Sequence, residues 1–378
     1  MNLHSINTPS LILDREKVRK NINRMEQHIS TQGVSLRPHG KTAKSVDVMQ
    51  MFHEPSRSGI TVSTLKEAEY YFNHGFQDIL YAVGISPQKL DRIFALIHRG
   101  ARITIILDSL AQADAAANAA QHYRTRLPVL MEIDCDGHRS GINPDSSLLL
   151  YLGRYLDAAS FLDFQGVLTH AGESYGCRGI DCIRQTAELE RTRAVDCKMR
   201  LEKAGIPCPV VSIGSTPTAT FGRDFSGVTE VRAGVFMFQD LVMAGLQVCH
   251  IDDIALSVLA TVIGHQKEKN WIIIDAGWTA LSRDRGTARQ IVDHGYGMVC
   301  GFSGKPINGL YVSSVYQEHG VITHREGKEI VMDRFPVGRR VRILPNHACA
   351  TAASFNSYNV VDGSEEIVHQ WDRINGWD

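Results

Sequence analysis

The chain carries no surplus of either charge: 40 Lys and Arg stand against 41 Asp and Glu in 378 residues. That balance argues against nucleic acid or an anionic membrane surface as a partner. No apolar run approaches the roughly 20 residues needed to span a bilayer. The start, Met1-Asn2-Leu3-His4-Ser5, lacks the pattern of a signal peptide. The eight cysteines (135, 177, 182, 197, 208, 249, 300 and 349) include no CxxC pair. Scattered thiols of this kind point to reduced cysteines in a cytoplasmic protein, not to a disulfide framework. There is no low-complexity tract, and no GxGxxG follows the first expected strand, which weakens an open dinucleotide-binding sheet.

What the chain does have is alternation. Asp14 to Ile29 places Val18, Ile22, Met25 and Ile29 at helical spacing, with Asp14 as N-cap. Eight short strands are then expected: Val34–Arg37, Ile60–Ser63, Asp78–Ala82, Arg102–Leu107, Pro128–Ile133, Phe164–Thr169, Pro209–Ile213 and Thr229–Arg232. Helical stretches such as Thr64–Asn73, Pro87–His98 and Asp181–Ala204 separate them. Strands alternating with helices pair in parallel through right-handed crossovers, so the expected fold is α/β, a (β/α)8 TIM barrel over residues 8–244. After residue 245 helical periodicity fades, and Leu256–Gly264, Trp271–Ile274, Leu310–Ser314 and Arg340–Leu344 read as strands. Residues 245–378 are therefore expected to form a second, mostly β domain, to which residues 1–7 add an edge strand.

In a parallel barrel the functional groups collect where the strands end. Lys41, in Arg37-Pro38-His39-Gly40-Lys41-Thr42, follows the first strand. A lysine drawn into a partly desolvated mouth loses basicity and can form a Schiff base; otherwise it is a surface turn residue. Arg139 follows the fifth strand and either holds a phenolate oxygen or pairs with Asp134 or Asp136. His170 and Tyr175 share a glycine-bearing loop after the sixth strand, as cofactor contacts or as core residues. Gly214, Ser215 and Thr216 before Pro217 follow the seventh, the position barrels frequently use for phosphate. In the second domain, His347 and Cys349 stand at i, i+2 after an apolar strand. A nitrogen and a thiolate suit zinc, and two ligands leave coordination positions open.

Taken together, RPHGKT, the Glu132-to-Gly141 run, Thr169-His170-Ala171-Gly172-Glu173-Ser174-Tyr175, Ser212-to-Thr218, Glu230-Val231-Arg232-Ala233-Gly234 and Pro345-to-Thr351 resemble, in order, the motifs of fold-type III pyridoxal-phosphate enzymes. The closest resemblance is to the D-threonine aldolase and metal-activated D-serine dehydratase group, including D-threo-3-hydroxyaspartate dehydratase. It implies an alanine racemase-like barrel with a C-terminal β domain, and a homodimer with its site near the subunit interface. It implies that Lys41 carries pyridoxal 5′-phosphate and takes the Cα proton, with Arg139 on the ring's phenolic oxygen, His170 and Tyr175 against the cofactor, and Gly214, Ser215 and Thr216 on the phosphate. It further implies a divalent metal on His347 and Cys349: zinc first, then manganese, magnesium or cobalt. Leu168 and Phe236 stand where members often carry tyrosine. The reaction so implied is loss of water from a β-hydroxy D-amino acid, giving a 2-oxo acid and ammonia. The alternatives are retro-aldol cleavage, amino-acid racemisation, and a non-enzymatic pyridoxal-phosphate carrier, against which the extra domain with its His-x-Cys pair counts.

Overall fold

Strand-forming runs on this chain stop at turn residues and restart as capped helices, and the computed structural model, which describes residues 2–52, 59–137 and 139–377, follows them closely. The eight expected strands appear as β2 (Ser35–Pro38), β3 (Ile60–Val62), β4 (Asp78–Gly84), β5 (Arg102–Leu107), β6 (Leu127–Ile133), β7 (Leu162–Thr169), β8 (Val210–Ile213) and β9 (Glu230–Ala233). They form one parallel sheet in the order β2-β9-β8-β7-β6-β5-β4-β3. A single parallel bridge, His39 with Thr61, joins its two ends, so the barrel is nearly closed. Between the strands, Thr64 caps the helix Leu65–Asn73 by accepting the Glu67 N–H, and the long helix spans Ile180–Lys203. Leu80, Ile106, Leu130 and Leu168 of four successive strands bury one apolar layer.

The chain divides into two units, one of residues 25–234 with 376–378, the other of residues 1–24 with 235–375. This differs from the span expected to start at residue 8. Ser10–Asp14 is β1, and it belongs to the second sheet, pairing antiparallel with β10 (Leu256–Gln266) and parallel with β16 (Ser357–Val361). The reason lies in Leu11, Ile12 and Leu13: all three are fully buried, as in a strand covered on both faces. Asp14 still caps the following helix, Arg15–Thr31, by accepting the Lys17 N–H at 3.2 Å. Residues 2–7 supply one bridge, Asn2 to Glu366, and Leu3 packs with Ile12, Leu259 and Val361.

The second sheet also contains β11 (Trp271–Ile274), β12 (Met298–Cys300), β13 (Pro306–Val315), β14 (Gly320–His324), β15 (Arg340–Leu344) and β17 (Ile367–Asp372). Its order is β11-β14-β13-β12-β15-β10-β1-β16-β17, and the additional β10–β11 pairing closes six of these strands into an antiparallel barrel. Closure removes the exposed edges that such a sheet would otherwise present. Among the described residues no helix is long and apolar enough to cross a membrane.

One expectation about cysteine is corrected. Cys177 and Cys182 are joined as a disulfide, with Cα atoms 5.6 Å apart, while the other six are free thiols. The chain reverses at Gly179, whose φ is 88°, and the helix beginning at Ile180 brings the pair together.

At the base of the first barrel Arg37 donates to Glu230 at 2.7 Å and to Asp78 at 2.8 Å, tying β2 to the first residues of β9 and β4. Removing one partner from a buried ionic cluster leaves uncompensated charge. Arg37→Ala is expected to cost about 3 kcal/mol, read as a lower urea midpoint at unchanged slope.

Candidate active site

The turn that carries Lys41 is fixed before its side chain is considered. β2 ends at Pro38, His39 bridges to Thr61, and the Gly40 N–H donates to the Thr61 carbonyl at 2.8 Å. A Cβ at residue 40 would lie 2.8 Å from the Tyr71 ring, whose hydroxyl donates to the Gly40 carbonyl, so this position takes glycine. Lys41 follows with an exposed side chain, and its backbone N–H donates to His39 Nδ1 at 3.4 Å.

His170 ends the run out of β7. Its Nδ1 lies 2.9 Å from the Gly214 carbonyl and must donate to it, which leaves the Nε2 lone pair outward. Burial, together with the charges of Lys41, Arg139 and Arg232, pushes its pKa down to about 3, although the Gly214 bond works the other way. Burial and the charges of Lys41 and Arg232 likewise hold His39 well below the ordinary imidazole range. Lys41, Arg139, His170, His39 and Arg232 therefore act on one another at a single barrel mouth. Tyr175, on the turn Gly172–Gly176, sets its ring 6.3 Å from that of His170.

The run after β6 folds back on its own strand. The Ile142 N–H donates to the Glu132 carbonyl at 2.8 Å and the Asp134 N–H to the Ile142 carbonyl at 3.0 Å. This leaves Arg139 on an exposed loop, where its charge reaches Glu132 as well as His170.

After β8, Gly214 takes a φ of 131°, and a Cβ there would lie 2.3 Å from the Arg232 carbonyl oxygen. Ser215 caps the helix Thr216–Phe221, accepting the Thr218 N–H, and its hydroxyl lies 2.8 Å from that of Ser174. Both backbone groups of Gly214 are committed: the carbonyl to His170, and the N–H to Glu190 Oε1 at 2.9 Å. Thr216 Oγ1, by contrast, is buried and has no hydrogen-bond partner. A buried hydroxyl in this state needs an acceptor, and with the surrounding positive charge it fits the phosphate of pyridoxal phosphate. Gly214 thus shapes the turn, the Ser215 hydroxyl ties it to Ser174 and Thr218, and the buried Thr216 hydroxyl is left without a partner.

Arg232 ends the last expected barrel strand, and nothing in the sequence assigned it a role of its own. It is 5% exposed and donates to Ser212 Oγ and to the Thr169 carbonyl, while Ser212 Oγ donates to Glu230.

In the second unit, His347 and Cys349 open the short helix Ala348–Ala352. His347 Nδ1 lies 2.8 Å from Asp284 Oδ2, a partner 63 residues away that no spacing in the sequence announced. Asp240 is 1% exposed and accepts the Ala348 N–H at 3.0 Å, holding the backbone between His347 and Cys349. Burial opposes a charged His347, but its bonds to Asp284 and Cys349 and the nearby Asp240 push its pKa up to about 11. An imidazole with a thiol beside it and two carboxylates behind it fits a divalent cation. Among the described residues no third His, Cys, Asp or Glu completes a ligand cluster.

Comparison with known proteins follows this division. A model described as the alanine racemase N-terminal domain matches residues 13–241, and one described as a putative serine dehydratase domain matches residues 255–361. The chain is 49% identical to D-threo-3-hydroxyaspartate dehydratase of Delftia sp. strain HT23 over 99% of each chain. It is 30% identical to D-serine dehydratase of Dictyostelium discoideum, over 100% of this chain and 98% of that one. It is 27% identical to 3-hydroxy-D-aspartate aldolase of Paracoccus denitrificans strain Pd 1222, over 97% of this chain and 92% of that one. The solved structure of a D-threo-3-hydroxyaspartate dehydratase mutant in the metal-free form matches with a TM-score of 0.97 and 48% identity, covering 100% of both chains.

A depressed imidazole pKa has a sign in stability. Between the ordinary 6.5 and about 3, the unfolded chain binds a proton that folded His170 refuses. Stability contributed this way is present above pH 6.5 and is lost as pH falls toward 3. The urea midpoint is expected to drop between pH 7.5 and 4.5, and to drop less in His170→Asn.

Proposed function

Because this chain belongs to the fold-type III pyridoxal-phosphate family, an alanine racemase N-terminal domain followed by a serine dehydratase domain, we propose that it is a lyase that removes water from a β-hydroxy D-amino acid. The products are a 2-oxo acid and ammonia, and D-threo-3-hydroxyaspartate is the first substrate to try, with D-serine and D-threonine next. The observation that carries this reading is the convergence of Lys41, Arg139 and a neutral His170 on one mouth beside the partnerless Thr216 hydroxyl. The same reading makes the protein a cytoplasmic homodimer acting on a small molecule.

Pyridoxal phosphate, when bound, supplies the electron sink that stabilises negative charge at Cα. Lys41 would hold its aldehyde carbon, and the Lys41 amine would serve as the base for the Cα proton. Arg139 would donate to the phenolic oxygen, Tyr175 would lie against the ring, and Ser215 and Thr216 would hold the phosphate within the turn shaped by Gly214. His170 keeps its only proton on Nδ1, tied to Gly214, so Nε2 would meet the cofactor as an uncharged acceptor. His347 and Cys349 would hold a divalent cation (zinc first; manganese, magnesium or cobalt as alternatives), which supplies Lewis-acid activation of a leaving hydroxyl.

Retro-aldol cleavage is the second reading, favoured by the aldolase relative. With D-threonine, 2-oxobutanoate and ammonia are the expected products; glycine and acetaldehyde would make the protein an aldolase. Lys41→Ala is expected to lose at least about 100-fold in turnover, and borohydride should fix the cofactor to residue 41 in the parent protein only, read by peptide mass.

Asp284 accepts from His347 Nδ1, which would leave Nε2 for a metal once the second ring proton is displaced. Asp284→Asn is expected to weaken zinc binding about 10- to 100-fold, measured by competition with a chelating dye.

A further inference from the structure

Glu190 is the one acidic residue on the buried stripe of the helix Ile180–Lys203, in a row with Ile183, Ala187, Ala194, Cys197 and Leu201. It is 1% exposed. A carboxylate in such a row is costly unless its oxygens are satisfied. Here Oε1 accepts the Ala171 N–H and the Gly214 N–H, both at 2.9 Å, while Oε2 is buried without a hydrogen-bond partner, so the residue's role rests on Oε1. Ala171 directly follows His170, and Gly214 directly precedes Ser215 and Thr216. One oxygen therefore joins the loop carrying His170 to the turn shaped for phosphate. Two further bonds run between these loops: His170 Nδ1 to the Gly214 carbonyl at 2.9 Å, and Ser174 Oγ to Ser215 Oγ at 2.8 Å. The Glu190 oxygen is the anchor that comes from neither loop.

We propose that Glu190 is a positioning residue for the cofactor: its shared oxygen sets the His170 loop in register with the Gly214–Thr216 turn. The proposal rests on the pyridoxal-phosphate reading of this mouth. The carboxylate is sealed beneath both loops, so it acts through them and not on substrate. By occupying the Gly214 N–H it also leaves phosphate to the hydroxyls. Glu190→Gln keeps a carbonyl oxygen that can accept both N–H groups, whereas Glu190→Ala leaves both unpaired and Glu190→Asp is one methylene too short to reach them together.

The test uses the full-length holoenzyme and these three variants, each stripped of cofactor and titrated with pyridoxal phosphate while the visible absorbance is followed. Melting of each cofactor-free form is recorded alongside. Expected are a loss of affinity of about 10- to 100-fold in Glu190→Ala and Glu190→Asp, the size of losing one or two hydrogen bonds to a charged acceptor, and restoration to within about threefold in Glu190→Gln. A merely structural role would lower the melting temperature of the cofactor-free protein and leave affinity in the folded fraction unchanged. Parental affinity in folded Glu190→Asp, or in folded Glu190→Ala, overturns the proposal and leaves the cofactor reading intact. Should Glu190→Ala fail to fold, Glu190→Asp decides by the same criterion. A parent protein that takes up no pyridoxal phosphate overturns both.

Discussion

A parallel sheet becomes a barrel only if its first strand finds its last, and the site depends on how this closure is made. β2 pairs with β9 along its whole length, from Ser35 opposite Glu230 to Pro38 opposite Ala233. Toward β3, among the described residues, it has only the His39–Thr61 bridge and the adjoining Gly40 hydrogen bond. The stitch that closes the barrel is thus the turn that carries Lys41. Tyr71 presses on Gly40, and Lys44, in the left-handed conformation, holds the buried Glu67 at 3.3 Å. Backbone freedom is removed around Lys41 while its side chain stays exposed, so the residue is held in place by its turn and not by burial.

Much of this was legible because it follows from local chemistry. The eight barrel strands lie within two residues of where β-branched runs and turn residues put them, and Thr64 and Asp14 cap helices as their side chains predict. Three-residue β12 and the strands β14, β16 and β17 carried too little alternation to stand out, and β1 belongs elsewhere because only its tertiary neighbours bury both of its faces. The candidate ligands were legible as motifs, but their supports were not. Asp284 sits in an arginine-flanked loop, and Asp240 reads as an ordinary cap. Glu190 had a signal that went unused: on a helix whose stripe runs Ile183, Ala187, Ala194, Cys197 and Leu201, it occupies an inward position where solvent cannot satisfy it. The Cys177–Cys182 pair had none, since a separation of five residues bonds only when the chain turns sharply between them.

Three histidines show why composition could not disclose the sites. Burial pushes the pKa of His39, His170 and His347 in the same direction, downward, because a charged ring loses its water. Their neighbours decide the outcome. At the barrel mouth Lys41, Arg139 and Arg232 add to the effect of burial, and the rings stay neutral. In the β unit Asp284, Cys349 and Asp240 overcome it, and the ring holds its proton to about pH 11. The first surroundings favour a molecule bearing several negative charges, and the second favour a cation that displaces the proton. A net charge of −1, from 40 Lys and Arg against 41 Asp and Glu over the whole chain, discloses neither site. The chemistry follows from which charged neighbours each buried ring meets.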